Sequence, residues 1–525
     1  MTGYDVASEE AAQTMETSAT STGAKATRRA TRREWIGLAV IALPCLVYSM
    51  DLTVLNLAIP TLAAELKPSA GQLLWIIDIY GFMVAGFLMT MGTLGDRIGR
   101  RRLLLCGAAA FGVASTIAAF ASTAEELILM RALLGIAGAT LAPSTLSLIT
   151  VMFTDERERS FAISMWVASF SAGGILGPLI GGVLIEWFHW GSVFLIAVPV
   201  MVLLLACGPW LLPEYKAPKA GRLDLASALL SLGAVLGVIY GIKHGSEYGW
   251  GLQALGALAG GFALAAVFVR RQGQLADPMI DLTLFRRGAF SASLAINLGG
   301  VLFMFGSFIY VAQYFQLVAG LSPLEAALAS LPSAVAFTVA SFLTPPLAAR
   351  FRPVTLMTGG MALAAVGFLW MALAPELHQI IAATVLFSIG FTPVITLTTG
   401  MIVGAAPPER TGAASAMSET AVELGGALGI AFLGSLGAAL YRASMQGITV
   451  PGISVDGVAA MKSTLGGALG VAAGLRADHA ALLVDRARDA FMDGFVAVAW
   501  LSIVGMVAAA TVALFLLREV KPVGH

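Results

Sequence analysis

Charge is scarce in this chain: of 525 residues only 12% are Asp, Glu, Lys or Arg, against roughly a quarter in water-soluble domains. Too few ionised side chains remain to cover a water-exposed surface, which excludes an ordinary soluble domain. Cysteine is rarer still. Cys45, Cys106 and Cys207 stand alone within or at the ends of apolar runs, an odd number without metal or redox spacing, and read as apolar filler. The sequence also lacks a Gly-Lys-Ser/Thr phosphate loop, a nucleophile elbow and any paired-His metal motif. A nucleotide-driven pump would therefore need a separate ATPase subunit, and an embedded enzyme would have no recognisable chemistry. The expectation is a non-enzyme with neither cofactor nor metal, and a formal net charge of zero gives nucleic acid nothing to bind.

What is present is apolar length. Hydrophobic residues make up 58%, in runs near twenty residues long, each able to cross a hydrocarbon core of about 30 Å as a helix. Fourteen such runs fall at 36–60, 72–94, 103–121, 126–152, 160–185, 192–212, 223–242, 252–270, 290–318, 325–349, 354–373, 379–404, 411–440 and 491–517. With the N-terminus inside, 23 of the 31 Lys and Arg fall on the cytoplasmic side, as the positive-inside rule requires. The resulting organisation has a disordered cytoplasmic tail (1–34) without a signal peptide, a six-helix bundle (35–212), a linker with two extra spans (213–289), a second six-helix bundle (290–517) and a short cytoplasmic tail (518–525). Within the linker, 277–285 reads as a short amphipathic piece on the cytoplasmic face. The outer segment 441–490 carries helical patterns near 456–473 and 477–490; it caps the outer mouth, rests on the membrane surface, or is a tolerated insertion without a transport role. Leu94-Gly95-Asp96-Arg97 is echoed by Leu347-Ala348-Ala349-Arg350, a weak repeat of the kind that builds a central site facing either side.

Ionisable residues inside the spans are expensive and point to function. Asp51 in span 1 and Asp78 in span 2 both belong to the outer halves of their spans by helical rise, as does Arg131 in span 4, so a cluster at one depth is possible. Glu419 and Glu423 in span 13 share one helix face and would titrate as a coupled unit; the alternative is that one or both face lipid headgroups or pair with Arg131. His189, His244, His378, His479 and His525 fall in outer loops, at their edges or at the chain end, which removes histidine as the main proton carrier.

Three further motifs frame these residues. Gly92-Thr-Leu94-Gly-Asp96-Arg97-Ile-Gly99-Arg100-Arg101-Arg102 is a tight loop between spans 2 and 3; Leu127 to Gly138 carries Arg131; and Gly173-x-x-x-Gly177-Pro178-x-x-Gly181-Gly182 in span 5 offers a smooth face for close packing. Together with Asp51-Leu-Thr53-Val-Leu-Asn56-x-Ala-x-Pro60 and Trp75-Ile-Ile-Asp78-Ile-Tyr80, they resemble the major facilitator superfamily over residues 35–517. The likeness is greatest to its fourteen-helix drug:proton antiporters, the QacA-like and SmvA-like antiseptic exporters.

That resemblance implies an all-α membrane protein with the major facilitator fold, 14 transmembrane helices (6+2+6) and two pseudo-symmetric six-helix bundles. It assigns a gating role to Gly92, Asp96, Arg97, Gly99 and Arg100, an antiporter motif to Gly173, Gly177, Pro178, Gly181 and Gly182, and proton coupling or substrate binding to Asp51, Asp78, Arg131, Glu419 and Glu423. Asn56, Trp75, Tyr80, Trp166, Phe170, Asn297, Phe308, Tyr310, Gln313 and Met417 are candidates to line the cavity, since ring faces attract quaternary ammonium groups and Met adapts to varied shapes. The expected partners are protons, lipophilic cationic small molecules and the bilayer, for a monomer in a bacterial plasma membrane. The alternative is a dedicated exporter of an endogenous metabolite, antibiotic or lipid. A receptor or structural membrane protein would dispense with the embedded acids.

Overall fold

The computed structural model describes residues 29–66, 68, 70–216, 224–275, 278–374, 376–407, 411–450 and 453–518; most of the N-terminal tail, the end of the C-terminal tail and part of the first linker lie outside them. Among the described residues fourteen helices are long and apolar enough to cross a membrane. A backbone removed from water must satisfy its own hydrogen bonds, and a helix does so within one segment. They are α1 (Arg32–Leu66), α2 (Ala70–Ile98), α3 (Arg100–Ala119), α4 (Ala124–Met152), α5 (Glu156–Trp187), α6 (Ser192–Leu211), α7 (Leu225–Tyr248), α8 (Leu252–Gln272), α9 (Gly288–Val318), α10 (Pro323–Ala348), α11 (Pro353–Leu373), α12 (Leu377–Ala405) and α13 (Thr411–Met445). Two short helices follow, α14 (Val455–Ser463) and α15 (Leu465–Ala472), and then the last span, α16 (Ala477–Leu516). Polar caps start several of them. Thr123 accepts from Glu126 N, Asp155 from Arg157 N and Glu158 N, and Ser322 with Glu325 forms a capping box.

Two hydrophobic cores organise the helices. One draws almost all its buried residues from α1 to α6, the other from α9 to α16. Between these halves α7 packs on both α2 and α13, with Ile239 beside Phe82, Ala85, Leu424 and Ala427, while α8 packs on α7. At one end of this pair Arg271 bonds both oxygens of Asp224, at 2.8 and 3.1 Å. That bond holds the Asp224 carboxyl well below the usual carboxylate range. Gln272 then fastens the linker, taking bonds from Met279 N and Ile280 N and giving one to Ser227. The segment expected to be amphipathic buries Met279, Ile280 and Leu284 against Phe268 and Phe290, with a 3-10 turn at Leu282–Arg286.

The segment 441–490 is more structured than a capping loop. Residues 477–490 are the first part of α16, a single helix of 40 residues and so about 60 Å long, well beyond a bilayer's thickness. Against α16 packs α15, with Leu465, Ala468 and Ala472 buried within the second core; Met461 of α14 is buried there too, and Tyr441 donates to Met461 O at 2.9 Å.

The loops at 98–100, 153–156, 273–275, 278–288 and 349–352 share one end of the bundle with the start of α1, here the arginine-rich end. The halves meet there. Ser341 of α10 donates to Ser164 O of α5 at 2.7 Å, and the Phe161 and Phe342 rings lie 5.7 Å apart. On the opposite seam α2 lies so close to α13 that a Cβ at Gly92 would come within 2.7 Å of Gly412 O.

Candidate functional site

Asp51 and Arg131 are both buried in the first half and bond directly, Arg131 Nη1 to Asp51 Oδ2 at 2.5 Å. The planar guanidinium has five donors to satisfy. It gives Nε to Ile76 O at 3.0 Å and Nη2 to Ile77 O at 3.4 Å, so α2 supplies carbonyls where α1 supplies the countercharge. Its face covers the Tyr80 ring, 4.9 Å from the centroid, a cation–π contact in a dry site. The expected cluster of α1, α2 and α4 thus forms around Arg131 and Asp51. The side chains of Asp78, Asn56 and Pro178 lie outside the described residues.

The glycine motif of α5 makes this placement possible by packing on α1. A Cβ at Gly173 would strike Leu46 O, one at Gly177 would strike Thr53 and Met50, and one at Gly181 would strike Val54. Small residues at every fourth position bring the two backbones together on either side of Asp51, while Gly182 is half-buried.

From the ion pair a polar string runs into the second half. Tyr80 donates to Tyr48 O at 3.4 Å, and Tyr48 donates to Glu423 Oε1 at 3.1 Å. One turn toward the arginine-rich end of α13, Glu419 is buried with no hydrogen bond or ion pair among the described residues. A buried acid without a partner is costly unless it binds a proton or a cation. Arg131 pairs with Asp51 and not with either glutamate. Below Tyr48 on α1, Cys45 Sγ lies 3.4 Å from Thr145 Oγ1, to which Trp166 also donates at 2.9 Å.

At the arginine-rich end Asp96 bonds Arg100 one turn on, and its carboxyl lies against the backbone N–H groups of Gly412 and Ala413. Those groups open α13 and have no acceptor within their own helix. An acid of the first half therefore caps a helix of the second, the geometry an anion at a helix N-terminus favours. Gly99 adopts φ 114 at the start of α3, a backbone that glycine alone takes without strain. Arg97 is half-buried beside it.

The remaining candidates sort by environment. Trp75 is 44% exposed and edge-packed on Phe82, and Phe170, Phe308 and Gln313 are half-buried. Tyr80, Trp166, Asn297, Tyr310 and Met417 are buried. Asn297 donates to Thr398 at 3.1 Å and Tyr310 to Gly434 O at 3.2 Å, so these two join helices within the second half. Tyr48 was not among the sequence candidates. Its signal was its position three residues before Asp51, on the same helix face.

A family profile described as Major Facilitator Superfamily matches residues 41–430. A multidrug efflux pump of Mycolicibacterium smegmatis, LfrA, is 44% identical over 494 residues, covering 93% of this chain and 97% of the relative. SmvA, a methyl viologen resistance protein of Salmonella typhimurium, is 37% identical over 465 residues, covering 88% and 93%. Among solved structures, a bacterial homologue of the human lysosomal transporter Spinster matches with a TM-score of 0.57 at 16% identity, covering 93% of this chain and 99% of that one.

Proposed function

Because the chain belongs to the Major Facilitator Superfamily, we propose that it is a proton-coupled antiporter that expels lipophilic cations by alternating access. The observation that carries the reading is the pair of acids on α13. Among the described residues Glu419 is buried without a bonded partner, one turn from Glu423. A proton and a cationic drug can each neutralise such carboxylates, so binding one displaces the other, and antiport needs no further device. Asp51, tied to Arg131, acts as a second acid whose counterion is already built in. The relative named for methyl viologen resistance supports a cationic cargo.

By the positive-inside rule the arginine-rich end is cytoplasmic, in a bacterial plasma membrane, and the arrangement described is closed toward the cytoplasm. Exposed Trp75 and half-buried Phe170 and Phe308 offer ring faces to quaternary ammonium compounds, biguanides and dyes. Asp78 belongs to the same carboxylate set by its place in α2. Adding tetraphenylphosphonium to the purified monomer in weakly buffered detergent should release protons. Release should fall in Glu419→Gln and Glu423→Gln while the fold persists. A folded wild type that releases none with any cation would overturn cation/proton antiport in favour of a metabolite or lipid exporter.

A further inference from the structure

One cross-half bond differs from the rest in that its acceptor is a carboxylate in the middle of the membrane. The hydroxyl of Tyr48 on α1 donates to Oε1 of Glu423 on α13 at 3.1 Å. The contacts nearer the arginine-rich end join Ser341 to a backbone carbonyl, ring to ring, and Asp96 to backbone N–H groups. Tyr48 is held entirely by the first half. Its ring meets Phe170 edge-on at 5.6 Å and Tyr80 at 6.0 Å, and Phe170 rests on Trp166 at 4.7 Å. Trp166 is itself fixed through Thr145 of α4. With its ring buried to 3% exposure, the hydroxyl cannot follow Glu423 if the halves part.

We propose that Tyr48 is a positioning residue that latches the two halves together through Glu423, so that the arginine-rich end stays closed while Glu423 is ionised and unoccupied. This rests on the antiport reading of the same site. A carboxylate accepts a charge-assisted hydrogen bond about twice as strong as a neutral one. Protonation of Glu423 weakens that acceptor, and a cation drawn to Glu423 competes with the hydroxyl for the same oxygen. Either event removes free energy from the closed arrangement alone, which is the condition for a ligand to shift a conformational equilibrium. Glu419 one turn away, Tyr80 beside Tyr48, and the Asp51–Arg131 pair against Tyr80 set the field in which Glu423 exchanges partners. Tyr80 also connects the latch to that ion pair, since its hydroxyl bonds the carbonyl of Tyr48 itself.

The test uses the full chain in nanodiscs, lacking Cys106 and Cys207, with spin labels replacing exposed Arg157 on α5 and Arg350 after α10. Tyr48→Phe keeps the ring and removes only the hydroxyl. It should raise the ratio of parted to closed arginine-rich ends about tenfold without ligand, the scale of one hydrogen bond to a charged group. Glu423→Ala, which removes the acceptor from the other half, should do the same, and the double variant should add nothing. Wild type should part on adding tetraphenylphosphonium. Unchanged distances in both single variants, or additive effects in the double, would overturn the latch. Proton release by wild type is measured separately, so the latch can fail while antiport stands, and the reverse.

Discussion

A buried guanidinium cannot shed its charge, whereas a buried carboxylate can neutralise itself by taking up a proton, and this asymmetry decides what the Asp51–Arg131 pair tolerates. Asp51→Asn leaves Arg131 charged in a dry site, with Ile76 O and Ile77 O as its remaining bonded acceptors. Arg131→Gln leaves an acid that a proton can make neutral. Asp51→Asn is therefore expected to cost the larger amount, about 3–5 kcal/mol, and to lower the unfolding temperature in detergent more than Arg131→Gln does. Equal losses would mean that water reaches the pair. These residues were legible because a charge in an apolar run is conspicuous, and Glu419 and Glu423 stood out on the same ground. Tyr48 did not, because tyrosine is ordinary in such a run and its partner lies 375 positions away. Cys45 reads as filler and is indeed buried, yet its sulfur shares Thr145 with Trp166, a contact that spacing along one helix cannot reveal.

At the scale of the element, α13 shows what one missing cap does. The N–H groups of Gly412 and Ala413 in its first turn lie against the Asp96 carboxyl of α2, a contact that lasts only while the halves touch. Gly412 leaves room for the Arg100 guanidinium, exactly where a Cβ would otherwise stand. Gly412→Val should expel Arg100, weaken its bond to Asp96 and part the arginine-rich end. The readout is placed on the other seam: a cysteine replacing Ser341, which is fully buried, should alkylate several-fold faster in the Gly412→Val background. An unchanged rate would mean that the α2–α13 contact does not govern closure. The sequence carried the motif and the start of α13 at 411, but not the cap, since a helix end and its acceptor from another bundle share no local pattern. Span existence was legible throughout because each crossing must be apolar for about twenty residues. The start of α16 was legible as the helical pattern at 477–490, but its continuity with the span at 491–517 was not, since Asp485, Arg486, Arg488 and Asp489 break the apolar run without breaking the helix.

For the whole molecule, the two cores behave as bodies that meet along two seams, α5 against α10 and α2 against α13, with α7 lying across the latter. If transport is rocking of one body against the other, the contact of Phe161 with Phe342 at the arginine-rich end must open once per cycle. Pinning it should stop transport without touching the acids. In a background lacking Cys106 and Cys207, Phe161→Cys with Phe342→Cys joined by a short bismaleimide should still bind tetraphenylphosphonium. It should lose nearly all uptake into inverted vesicles, while the same variant left unlinked keeps most of it. The link should also cancel the faster alkylation of Ser341→Cys in the Gly412→Val background, because Ser341 and the linked pair lie on the same seam between α5 and α10. Continued transport by the linked protein would show that this seam stays shut throughout the cycle, and that exchange proceeds by movement within one half.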